Sequence, residues 1–73
     1  MPRLLNYREI ADDLAERIES GEYPPESKLP TYEQLAALYS VSRATAHRAI
    51  MLLQDRGVVR GEQGRGNFVE GEP

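Results

Sequence analysis

Five side chains that bind anions and hydrogen-bond acceptors crowd into the seven-residue run Ser42 to Arg48, SRATAHR. They are Ser42, Arg43, Thr45, His47 and Arg48, and they suit recognition of phosphates and base edges more than the making of bonds. Arginine offers a planar fork of donors that fits two acceptors on one edge. The short side chains Ala44 and Thr45 leave the backbone there free to approach a phosphate, and a helix N-terminus favours anions in any case. A second cationic point is Arg65, between Gly64 and Gly66. Glycines let the backbone come close to a partner, and an arginine so mounted can enter a narrow, A·T-rich minor groove. Each feature taken singly has a plainer account: Arg43 and Arg48 would solvate a surface helix, and the glycines would serve a turn that needs positive φ.

Catalytic chemistry finds no constellation. His47 is the only histidine and cysteine is absent. Ser42, Thr45 and the carboxylates form no nucleophile, base and orienter set. Asp12 and Asp13 are adjacent on a helix and do not share a face, so they make no metal pair. The run GEQGRG lacks both the strand-loop-helix context and the Lys-Ser/Thr ending of a nucleotide loop. The expectation is a protein that is not an enzyme and needs no cofactor or metal, with His47 as a groove-facing donor or a surface residue.

Charge separates along the chain. The net charge of −3 argues at first against a nucleic-acid partner, because phosphate neutralisation supplies most non-specific DNA affinity. Residues 1–40, however, hold four basic and eight acidic side chains, whereas residues 41–69 hold five arginines against Asp55 and Glu62. Salt screens exposed charges beyond about 8 Å, so a local basic face can act on an acidic domain. The 73 residues make one small domain with no disulfide framework and no apolar run long enough for a membrane span or a signal peptide. A cytoplasmic, nucleoid-associated protein is expected.

The elements that would position these residues can be read in order. Residues 1–5 are a short lead-in. Asn6 with Glu9 forms a capping-box pattern, and Tyr7, Ile10, Ala11, Leu14 and Ile18 recur at helical spacing, so a helix is expected at about 7–20, closed by Gly21. Its polar face is largely acidic and should point away from DNA. Pro24 and Pro25 force an extended turn, and Lys28-Leu29 allows a very short edge strand, with Tyr23 and Leu29 facing the core. Thr31 with Gln34 repeats the capping-box pattern for a helix at about 32–39, in which Leu35, Ala36, Leu38 and Tyr39 fall at helical spacing.

Ser40-Val41-Ser42 is a tight turn, with Val41 as its buried plug and Ser42 as N-cap of a helix at about 43–55. Ser40 stands where such a turn prefers glycine, and a non-glycine residue at positive φ costs about 1–2 kcal/mol. At about 100° per residue, Ala46, Ala49, Ile50 and Leu53 gather on one side of the third helix, and Arg43, Ala44, His47, Arg48 and Met51 take the flank and the opposite side. That is a helix-turn-helix with an outward cationic face. Gly57 ends it, and residues 58–69 read as a hairpin with a flexible tip from Gly61 to Gly66. Residues 71–73 are too short to form a linker or a further domain.

In order and spacing, Val41-Ser42-Arg43-x-Thr45, Ala49-Ile50, Leu53, Gly57-Val58-Val59 and Gly64-Arg65-Gly66-x-Phe68-Val69 resemble the DNA-binding domain of the GntR family of bacterial transcription regulators. The likeness runs from Tyr7 through Val69. The resemblance implies a mainly α fold of three helices with a small antiparallel sheet, a winged helix-turn-helix. It also implies sequence-specific binding of double-stranded DNA by a repressor. The third helix would enter the major groove and the hairpin wing would reach the minor groove. On matching positions, Arg43 is the guanine contact, Ser42 and Thr45 touch phosphate or base edges, and Gln63, Gly64 and Arg65 form the wing contact.

The chain departs from the family pattern at several positions. His47 stands where the family commonly has arginine, which implies altered base preference or compensation by Arg48. Tyr32 and Glu33 stand where it often has a phosphate-touching basic residue; the Tyr32 hydroxyl can still reach a phosphate, but Glu33 cannot. Ala46 replaces a larger aliphatic. The ligand-binding domain common in the family has no counterpart in these residues, so no effector site is expected in this chain. If 73 residues is the natural length, regulation comes from abundance, a partner protein or a homodimer formed on DNA at an inverted-repeat operator, and if the chain is a fragment the sensing half is missing. The competing reading is a protein-interaction module on the same fold.

Overall fold

Asn6 starts the first helix, α1 (Tyr7–Glu19), by accepting from the Glu9 N–H at 2.9 Å, while its own N–H donates to Glu9 Oε1 at 3.0 Å. These are residues of a computed structural model that describes positions 4–71; residues 1–3 of the lead-in and 72–73 of the tail lie outside the described residues. The helix stops at Gly21, which takes φ 92°, so that the Gly21 N–H donates to the Ile18 carbonyl (3.1 Å) and the Glu22 N–H to that of Arg17 (2.9 Å). Both bonds satisfy carbonyls that the helix end would otherwise strand. Gly57 closes the third helix in the same way, with φ 76°.

Helix α2 (Tyr32–Tyr39) has its own reciprocal cap: Gln34 N–H to Thr31 Oγ1 at 3.1 Å and Thr31 N–H to Gln34 Oε1 at 2.9 Å. It ends at Ser40, which adopts the left-handed conformation (φ 56°, ψ 46°). The Val41 N–H then reaches back to the Ala36 carbonyl at 3.0 Å, and the chain turns into α3 (Arg43–Asp55). Among the described residues only Glu26 shares Ser40's departure as a non-glycine at positive φ, here 69°.

Glu26 sits third in the turn Pro24-Pro25-Glu26-Ser27, closed by the Ser27 N–H on the Pro24 carbonyl at 3.1 Å. Pro25 presets the second position, and the third must have positive φ in a type II turn. Arg60 pairs with the Glu26 carboxylate at 2.6 Å, while also meeting Glu62 at 2.9 Å and Glu70 at 3.2 Å. That three-way pairing fastens the turn to the sheet.

The sheet is an antiparallel hairpin, β1 (Val59–Glu62) with β2 (Gly66–Val69), in register Val59 with Val69 and Glu62 with Gly66. The segment before α2 adds a third edge through a bridge from Lys28 to Phe68, with the Leu29 N–H on the Asn67 carbonyl at 2.8 Å. Three helices with a small β wing is the arrangement that the sequence resemblance implies.

The core lies where the three helices meet the root of the hairpin. Ile10 and Leu14 of α1, Leu35 of α2, Ile50 and Leu53 of α3, and Val59 and Val69 of the hairpin are fully buried. Each contributes about 1.5–3 kcal/mol on leaving water. Ala11, Ala46 and Ala49 are buried as well and keep the helices close. Two expectations need correcting. Leu38 is 49% exposed, because an eight-residue helix can turn only one narrow stripe inward and Leu35 takes it. Val41 is half-buried, a lid over the turn more than a plug.

Candidate nucleic-acid interface

Ser42 and Thr45 organise the start of α3. The Thr45 N–H donates to Ser42 Oγ at 3.1 Å, and the Ser42 hydroxyl donates to Thr45 Oγ1 at 3.0 Å. The Thr45 hydroxyl proton is therefore left to donate outward. The N–H groups of Arg43 and Ala44 lie in the first turn, ahead of any intrahelical acceptor, and point along the positive end of the helix dipole. Ala44 is exposed and short, so nothing shields them.

Around this turn the structure gathers Tyr32, Arg43 and His47. The Tyr32 ring meets the His47 ring edge-on at 4.8 Å between centroids, and the Arg43 guanidinium lies 5.7 Å from the same tyrosine. Arg43 Nε is also 3.3 Å from Glu33 Oε2, with both side chains about two-thirds exposed. Tyr32 thus serves as a half-buried platform beneath two candidate reading residues.

Arg48 is not part of that cluster. It lies on the other flank of α3, its guanidinium 4.4 Å above the Tyr7 ring of α1. Arg8 is 5.6 Å from the same ring, and Arg8 first, with Arg48 behind it, holds the Tyr7 phenol below its ordinary value. Arg48 therefore marks an edge of the surface, at the α1 side.

The wing places Gln63, Gly64 and Arg65 at its tip, and the two residues before them, Gly61 and Glu62, belong to β1. The tip is shorter than the expected Gly61–Gly66 loop because the strand register extends to Glu62 and Gly66. The Arg65 N–H closes the turn on the Glu62 carbonyl at 2.9 Å, with Gly64 at φ 76°. Gly66 has two reasons to be glycine: φ 117°, and Lys28 Cε at 2.9 Å from where a Cβ would stand. Arg65 is exposed, with its Nη1 3.1 Å from Glu62 Oε1 and its guanidinium 5.5 Å from the Phe68 ring.

The start of α2 and the wing share one open groove of about 500 Å³, lined by Thr31, Tyr32 and Glu33 and by Gln63, Gly64 and Arg65. Gln54 forms its floor, donating through Nε2 to Oδ1 of the buried Asn67 at 2.9 Å. This bond fixes the wing's angle to α3. Neither residue stands out in the sequence, since the pair joins different elements and follows no spacing rule. The one available signal was a polar asparagine at an inward strand position. Among the described residues no group of three or more His, Cys, Asp or Glu side chains is placed to hold a metal ion, and no helix is long and apolar enough to cross a membrane.

Residues 6–69 match the family model described as bacterial regulatory proteins, gntR family. The chain is 38% identical over 66 residues to the mannosyl-D-glycerate transport/metabolism system repressor MngR of Escherichia coli strain K12, a span of 90% of this chain and 28% of that protein. YtrA from Sulfolobus acidocaldarius, a GntR-family transcription factor, is similar in structure with a TM-score of 0.82 at 36% identity, over 92% of this chain and 70% of YtrA. AraR(DBD), solved in complex with operator ORX1, gives a TM-score of 0.84 at 33% identity, over 92% of this chain and 81% of that one. The chain spans about a quarter of the length of the first curated relatives it matches.

Proposed function

The chain belongs to the GntR family of bacterial regulatory proteins, and on that premise we propose that it is the family's DNA-binding unit, a sequence-specific binder of double-stranded DNA that represses transcription. One observation carries the reading: Tyr32 and Glu33, which meet His47 and Arg43 of α3, line a single groove together with Gln63, Gly64 and Arg65 of the wing. The operator complex of the similar AraR domain supports the choice of ligand. No bond-making step and no cofactor are assigned to these residues, and no effector site.

In this reading α3 enters the major groove. Arg43 forks onto a guanine edge, His47 donates beside it, and Tyr32 supplies the platform and a hydroxyl for phosphate. Ser42 caps the helix, Ala44 leaves its N–H open to a phosphate, and the Thr45 hydroxyl donates there. Gln63, Gly64 and Arg65 reach the minor groove, and Arg48 holds backbone at the α1 edge. Two copies meet on an inverted repeat, in the cytoplasm on the nucleoid.

Selection from a random duplex pool tests this, with affinity for the winner followed against salt and protein concentration. An enriched inverted repeat bound by two copies is expected, with affinity falling steeply as salt rises. No enrichment, and no retardation even at low salt, would sink DNA binding and leave a protein-interaction module.

A further inference from the structure

Two of the arginines proposed to touch DNA, Arg43 and Arg65, have a glutamate and an aromatic ring as neighbours, but the glutamates approach them at different atoms. Glu33 meets Arg43 at Nε, 3.3 Å away, while Glu62 meets Arg65 at Nη1, 3.1 Å away. The difference matters because a guanine O6/N7 edge is read by paired donors of the guanidinium fork. A carboxylate on Nε leaves both terminal nitrogens of Arg43 free to face outward. A carboxylate on Nη1 occupies half the fork of Arg65.

We propose that Glu33 is a positioning residue for base reading: it holds Arg43 by Nε against the Tyr32 platform, so that the terminal fork is presented to one guanine edge. This rests on the DNA-binding reading and names a specificity determinant within it. Tyr32 is itself fixed by the edge of His47 at 4.8 Å, so ring, carboxylate and arginine form a braced set spanning α2 and α3. The pair is exposed in the free protein, where such contacts contribute little. Docking on a duplex removes water from it, which strengthens the attraction as the local dielectric falls. The same carboxylate repels phosphate, so it also weakens binding to DNA in which no guanine engages Arg43. Glu33 therefore raises the ratio of selected to unselected affinity from both sides.

The test compares the wild-type chain with Glu33→Ala and Glu33→Gln, the latter keeping the shape of the side chain. Each variant is taken through the random-pool selection, and its binding to the wild-type winner and to an unselected duplex is measured. Expected is a loss of about two- to fivefold on the selected duplex, the scale of one exposed ion pair, with tighter binding to the unselected one. Preference at a single base pair should relax, while the other positions keep theirs. Circular dichroism checks that α2 remains folded, because Glu33 also lies in its first turn, where a carboxylate favours the helix dipole. Unchanged preference at every position, with both duplexes tightening equally, would overturn the positioning role and leave Glu33 a repulsive charge. If the wild-type chain itself enriches no sequence, the DNA reading fails and takes this inference with it.

Discussion

The start of α3 and the tip of the wing carry nearly the same chemistry on opposite kinds of mounting. Each offers one exposed arginine, one carboxylate within about ion-pair reach and one ring beneath. Arg43 stands on a helix capped by Ser42 and anchored by four buried residues, Ala46, Ala49, Ile50 and Leu53. Arg65 stands on a three-residue turn between glycines at φ 76° and 117°, and its hairpin sends only Val59, Asn67 and Val69 inside. A helix fixes where a side chain starts to within a fraction of an ångström, which reading a base edge requires. A glycine turn does not, although charge alone is enough to hold a phosphate-lined minor groove. Residue type alone would give the two arginines equal roles; the proposed division between them rests on their supports.

The sharpest break of this comparison is to remove each arginine in turn. Arg43→Ala should cost about 1–3 kcal/mol on the selected duplex and relax base preference at one position. Arg65→Ala should weaken selected and unselected DNA alike and reduce the salt slope by about 1, with preference kept. Binding titrations at several salt concentrations on both duplexes separate these outcomes. Equal, small losses with preference unchanged in both would show that mounting does not divide their roles.

Gln54 tests whether the wing acts as a tool in its own right or as an extension of α3. Gln54→Ala strands the Oδ1 of Asn67, which is only 7% exposed, and should cost about 1–2 kcal/mol of stability in thermal melts. The loss on DNA should resemble that of Arg65→Ala, because only the wing is set loose. A change of base preference like that of Arg43→Ala would instead mean that the groove floor supports the reading helix.

Much of this architecture was open to view in the chain itself. Asn6 with Glu9 and Thr31 with Gln34 signalled two helix starts through short-range chemistry, and the structure has both reciprocal caps. Gly21 and Gly57 signalled two ends in the same local way. What stayed hidden depends on contacts between elements. Tyr32, Arg43 and His47 converge because α2 and α3 cross, and no spacing rule spans that crossing. Arg48 fits the outward arc of the helical wheel, yet Tyr7 of α1 draws it to the far flank. Leu38 fits the helical period and is still half exposed, because α2 is too short to bury a broad stripe. Local rules found the scaffold, while the brace around Arg43 needed three dimensions.

A smaller effect lies behind the helical half and leaves the wing alone. The Tyr39 hydroxyl at the end of α2 donates to Asp13 Oδ2 of α1 at 2.6 Å, and Arg17 Nε reaches the same oxygen at 2.9 Å. The Tyr39 bond first, and Arg17 with it, holds the Asp13 carboxyl below its ordinary value. A depressed carboxyl stabilises the fold above its unfolded value of about 3.9, and that contribution is lost as pH falls through the folded value. Burial, then the bond to Asp13, raises the Tyr39 phenol, so its contribution is present below about pH 10 and fades as pH rises beyond that. Tyr39→Phe should lower stability by about 1 kcal/mol at neutral pH, move the acid unfolding midpoint upward and soften the alkaline loss. Melts from pH 3 to 11 check all three; an unchanged acid limb would mean that Asp13 is held by Arg17 alone.

The smallest expected change is a gain. Ser40 is left-handed at φ 56°, in the turn that sets α3 against α2, and a side chain there costs about 1–2 kcal/mol that glycine avoids. Glycine also frees the unfolded chain, which returns part of that gain, so Ser40→Gly should stabilise by about 0.5–1 kcal/mol. For a domain of this size that raises Tm by about 2–8 °C. DNA preference should stay as it was, because the turn keeps its shape and Arg43 keeps its support. If stability rises but preference broadens, the strain at Ser40 is what holds the start of α3 in place, and the precision credited to the helix belongs in part to the turn before it.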